Sequence, residues 1–107
     1  NREHARCLAF LKEAVSSSNA RKKIFVTHHV PSFQMQCPKF ADSQANGAFT
    51  VELEDYIKDS GIDFWIYGHS HYNVDVRIGN TMCISNQLGY VFHGEHEFFD
   101  PCKNIEV

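Results

Sequence analysis

At 107 residues the chain has room for one domain, spanning 1–107, with a modest hydrophobic core. Hydrophobic residues make up 43% and charged residues 21%, which excludes a disordered or polyelectrolyte chain. A formal net charge of −3 gives no electrostatic ground for a nucleic-acid or anionic-membrane partner, and no apolar run nears the roughly 20 residues that span a bilayer.

Taken in order, the pattern begins with a helix over about Glu3 to Val15. There Ala5, Leu8, Leu11 and Val15 recur at three- and four-residue steps. Ile24 to Thr27 is short, β-branched and aromatic, and predicts a strand that stops at His28-His29-Val30-Pro31. Residues 32–48 show no period, and connections this long are functional or disordered. A second helix is expected over Thr50 to Asp59, stopped by Ser60-Gly61. Ile62 to Tyr67 is a second apolar strand, ending at Gly68-His69-Ser70-His71. Val74 to Ile78 alternates with period two, Gly79-Asn80 turns, and Thr81 to Ser85 returns as the hairpin partner.

Both central strands are apolar at nearly every position, as in sheets covered on both faces. Two helices cover about one face. A layer from outside the chain, a missing N-terminal half or a second copy, is expected to cover the other. The four cysteines, Cys7, Cys37, Cys83 and Cys102, are scattered without a C-x-x-C pair, which argues against a zinc ribbon or a thioredoxin-like motif. Free thiols and a cytoplasmic location are expected, with any N-terminal signal lying outside the chain.

Two buried strands that each end in histidines are the informative coincidence. In open α/β sheets, functional groups gather beyond the carboxyl ends of strands. If the strands are parallel neighbours, His28, His29, His69 and His71 meet at one rim, and neutral imidazole is a common metal ligand. Gly68 is expected to let the backbone turn sharply before His69. His93-Gly94-Glu95-His96-Glu97 also has ligand types at tempting spacing, but its polar surroundings predict a solvated loop away from the cluster. Tyr72 and Asn73 are candidates for a pocket lining. Phe33, Met35 and Phe40 are candidates for a substrate wall or a local cluster.

Val26-Thr27-His28-His29-Val30-Pro31-Ser32 resembles the V-x-x-H-H-x-P segment of calcineurin-like metallophosphoesterases. Trp65 to His71 resembles their G-H-x-H signature, and Asn86-Gln87-Leu88-Gly89-Tyr90 the N-x-x-G-Y tail of many bacterial members. The resemblance implies an α/β fold that is the C-terminal half of a four-layer αββα sandwich. It implies two divalent metal ions (Mn, Fe or Zn), with His28 and His69 on one and His71 on the other. It also implies a phosphomonoester or phosphodiester substrate, which His29 is a candidate to contact. The family's D-x-H, G-D and G-N-H-[DE] motifs are absent from the chain. The carboxylate ligands are therefore expected to lie outside it, and these 107 residues alone to be inactive. The rival reading is a non-catalytic metal-binding or interaction module, in which four protein ligands close around one ion.

Overall fold

The computed structural model describes residues 2–35 and 52–107. Four strands form one mixed sheet: β1 (Ile24–Val26), β2 (Phe64–Ile66), β3 (Val76–Ile78) and β4 (Thr81–Ile84), in the order β1-β2-β4-β3. β1 and β2 pair in parallel, with Phe25 beside Trp65, and β2 pairs in parallel with β4, with Trp65 beside Cys83. β3 and β4 form the expected antiparallel hairpin around Gly79 and Asn80. Gly79 takes φ +60, and an added Cβ there would meet the Lys58 backbone at 3.0 Å, so glycine is needed on two counts.

The first helix, α1, runs over Arg2–Ser17, two residues beyond the predicted end. Serine hydroxyls explain the extension, since Ser16 and Ser17 both donate to the Glu13 carbonyl. The second helix, α2, covers Glu54–Asp59. Glu52 shapes its start, with one carboxylate oxygen accepting the Glu54 N–H and the other the Phe33 N–H. The predicted helix residues Thr50 and Val51 lie outside the described residues, as do Cys37, Phe40 and most of the 32–48 stretch.

Strand alternation sorts the sheet into two unlike faces. Phe25, Trp65, Cys83 and Ile78 point to one side and join Val15 of α1 and Ile57 of α2 in a single buried cluster. Trp65 is fully buried, and truncating such a side chain to alanine costs about 3–5 kcal/mol. Met35 is also fully buried in this cluster, so it is core and not a substrate wall; Phe33 is exposed. On the opposite face the register aligns Ile24 with Phe64 and Met82, and Val26 with Ile66 and Ile84. Ile24 is 42% exposed and Val26 69%, so this face is open along β1, whereas Ile84 of β4 is buried on it. Among the described residues no helix is long and apolar enough to cross a membrane, and Cys7, Cys83 and Cys102 are free.

Candidate metal centre

Because β1 and β2 are parallel and adjacent, their carboxyl ends deliver two loops to the same rim. Thr27 continues the pairing, donating its N–H to the Ile66 carbonyl at 2.9 Å, and Gly68 N–H reaches the His28 carbonyl at 3.0 Å. A side-chain relay ties the rim to the core. The buried Trp65 indole donates to the Thr27 hydroxyl at 2.9 Å, and that hydroxyl donates to the His29 carbonyl at 3.1 Å.

These constraints bring three rings together. His28 Nε2 lies 2.8 Å from His69 Nδ1. The ring centroids of His28 and His69 are 4.6 Å apart, those of His29 and His69 4.7 Å, and those of His28 and His29 5.1 Å. Burial, and then the charges of His29, His28 and His71, hold the His69 imidazole below the usual histidine range.

His71 is close enough to bear on His69 electrostatically, but its ring is engaged elsewhere. Its Nδ1 is 3.2 Å from Glu95 Oε1, and its ring meets Tyr90 edge-on at 4.8 Å. Gln87 secures the loop from beneath: its side-chain oxygen accepts the His71 N–H at 2.7 Å, and its amide donates to the Ser70 hydroxyl and the Tyr72 carbonyl. Asn73 pairs reciprocally with the Gln87 backbone and braces this loop.

The turn at this loop is not made by glycine. His69 takes φ +70 and His71 φ +56, the left-handed region, whereas Gly68 does not. A hydrogen bond from Ser70 N–H to the Gly68 carbonyl closes a three-residue turn around His69. With positive φ at its centre this is the rarer, strained kind of γ-turn. Left-handed backbone costs about 1–2 kcal/mol for a residue with a Cβ, and strain of this kind concentrates at functional sites. An added Cβ on Gly68 would lie 3.5 Å from the His28 carbonyl, an ordinary contact, so the expectation that Gly68 makes the sharp turn is corrected.

The 93–97 segment also departs from expectation. It is not a plain loop: Val91–His93 and Glu95–Phe98 are 3-10 turns around a left-handed Gly94. His93 packs against Tyr90 and Phe92, and Glu95 reaches the signature itself. Sequence reasoning set Glu95 in a solvated loop and quoted Gln87 only within a resemblance, and so missed the contacts of both with His71. Gln87 lies within the N-x-x-G-Y resemblance and was legible in principle.

Two imidazoles on one ion, at metal–nitrogen distances of about 2.0–2.1 Å, hold their nitrogens roughly 3 Å apart. His28 Nε2 and His69 Nδ1 stand at hydrogen-bond distance, 2.8 Å, and would part by a few tenths of an ångström to turn both lone pairs on one ion. Among the described residues no group of three or more His, Cys, Asp or Glu side chains is placed to enclose an ion. What the described residues bring to this point is two imidazoles. Beside it, a groove of about 790 Å³ separates α1 from the end of β1, with Cys7, Phe10, Val26, His28 and His29 in its walls.

No family model matches the chain, and no solved structure matches it. Its sequence is 32% identical over 91 residues to an uncharacterized protein of Acanthamoeba polyphaga mimivirus, an alignment covering 78% of the chain and 31% of the viral protein. The chain spans about a third of the length of that relative.

Proposed function

We propose that the chain supplies the histidine side of a dinuclear metal centre in a metal-dependent phosphoesterase of the calcineurin-like type. The observation that carries this reading is the pairing of His28 Nε2 with His69 Nδ1 at 2.8 Å, at the ends of neighbouring parallel strands. In it, His28 and His69 hold one ion and His71 the other, with the carboxylate ligands contributed from outside these 107 residues. When bound, such a pair of divalent ions supplies an activated water and a positive clamp on the phosphoryl oxygens.

The chain's own residues bind and orient. His29, exposed beside His69, is set to contact a phosphoryl oxygen of the ester. The groove between α1 and β1 offers a largely apolar wall for the organic part of the substrate. The uncovered sheet face, with Ile24 and Val26, is where the second sheet of an αββα sandwich would pack.

The test is hydrolysis of an aryl phosphate monoester and a bis-aryl phosphodiester, with added manganese, zinc or iron. The sample is the longest gene product that carries these residues. Metal-dependent turnover that His69→Ala abolishes, with bound metal lowered and the fold retained, is the expected result. Near-unchanged turnover in His69→Ala would overturn the reading in favour of a non-catalytic module. His29→Ala is expected to be the milder variant, because His29 makes no metal bond in this scheme.

A further inference from the structure

The resemblance accounts for His71 but assigns nothing to the carboxylate that meets it. Glu95 comes from a separate 3-10 turn, 24 residues further along the chain, and its Oε1 has two partners. It accepts the Tyr90 N–H at 2.7 Å and lies 3.2 Å from His71 Nδ1. Glu95 in turn donates its own N–H to the Tyr90 carbonyl, so Tyr90 and Glu95 are fastened to each other twice. Gly89 permits the approach. Its φ is +68, and a Cβ there would fall 2.5 Å from Glu95 Cβ and 3.3 Å from His71 Cβ.

A carboxylate only accepts hydrogen bonds, so an imidazole nitrogen facing it must carry a proton. The partner of that nitrogen decides which nitrogen is left with a lone pair. For His71, Nδ1 donates to Glu95, and Nε2 has no hydrogen-bond partner among the described residues. The backbone is held as firmly: Gln87 accepts the His71 N–H, and Tyr90 stands against the ring edge.

We propose that Glu95 is a positioning residue for His71, fixing it as the Nδ1–H tautomer and presenting Nε2 as the free lone pair of the site. Carboxylates in this relation to a ligating histidine set its tautomer and raise its basicity. The value of that arrangement rests on the metal-centre reading above, whereas the tautomer itself does not.

A purely structural role for Glu95, closing the turn at Tyr90, would leave the His71 tautomer indifferent to it. Nitrogen NMR of the His71 ring in the metal-free chain separates the two, at a pH well above the ordinary histidine pKa of about 6.5. The unaltered chain is expected to show a protonated Nδ1 and a bare Nε2. Glu95→Gln is expected to keep that pattern, because the amide oxygen still accepts. Glu95→Ala is expected to lose it, the two nitrogen signals moving toward each other as both tautomers populate.

His71 protonated on Nε2 in the unaltered chain would overturn the proposal, as would an unchanged Nδ1–H in Glu95→Ala. Should Glu95→Ala fail to fold, the unaltered chain and Glu95→Gln decide the matter between them. Manganese added to the same sample tests the other reading separately. If it leaves every imidazole signal untouched, the metal centre is lost and the tautomer assignment stands.

Discussion

His28 Nε2 and His69 Nδ1 lie 2.8 Å apart although 41 residues separate them in the chain. Only the parallel pairing of β1 with β2 produces this proximity, since each histidine leaves its strand at the same end. The contact is bought with backbone strain, for His69 sits in a left-handed turn that glycine would occupy freely.

That strain is measurable. His69→Gly is expected to be more stable than His69→Ala by about 1 kcal/mol, because alanine keeps the Cβ that the left-handed backbone disfavours. Urea denaturation of both variants checks this. Equal stability, or a more stable alanine variant, would mean that the turn at His69 is not held in the left-handed region.

The two glycines near the site are expected to behave oppositely. Gly68→Ala should change stability by no more than about 0.5 kcal/mol, since its Cβ would make an ordinary contact. Gly89→Ala should cost at least about 1–2 kcal/mol from its positive φ alone. It should also push Glu95 away from His71. The same denaturation series, with the His71 ring signals as a local probe, distinguishes the pair.

The histidine rim was legible in the sequence because two apolar runs each stop at histidines, and strand ends are where side chains converge. The hairpin was legible in Gly79-Asn80. The location of the strain was not, because a glycine in Gly68-His69-Ser70-His71 draws the turn to itself in any reading of propensities. Glu95 and Gln87 stand in segments that the sequence marks, but their contacts with His71 were not legible, for another reason. They meet His71 across 24 and 16 residues, through loops whose spacing carries no period. Met35 was open to two readings, a substrate wall or a local cluster, because its burial in the core depends on packing that local sequence does not encode.

Acid should weaken the metal-free fold through His69. Its folded pKa is held below the unfolded value of about 6.5, chiefly by burial. Below that pH the unfolded chain takes up the proton first, so stability falls as pH drops from 6.5 toward the folded pKa, and levels off beneath it. Above about 6.5, His69 adds no pH dependence. His69→Gly is expected to show a shallower loss of stability on acidification, and an identical slope would contradict the electrostatic description of the rim.

The open sheet face predicts association. β1 is an edge strand among the described strands, and Ile24 and Val26 stand exposed on it. Exposed apolar strands at sheet edges recruit other chains. Light scattering of the 107-residue chain is expected to show concentration-dependent association that the double variant Ile24→Thr, Val26→Thr reduces severalfold. A strictly monomeric, well-folded chain would refute the need for a covering layer.

The central claim, that His28 and His69 share one divalent ion, is tested most directly by titrating manganese into the chain. The readout is paramagnetic broadening of the imidazole proton signals. The account predicts that His28 and His69 broaden first, with His29 close behind and His93 and His96 later, and that His28→Ala or His69→Ala abolishes the selective effect. Uniform broadening of all histidines, or selective broadening that survives both substitutions, would contradict it.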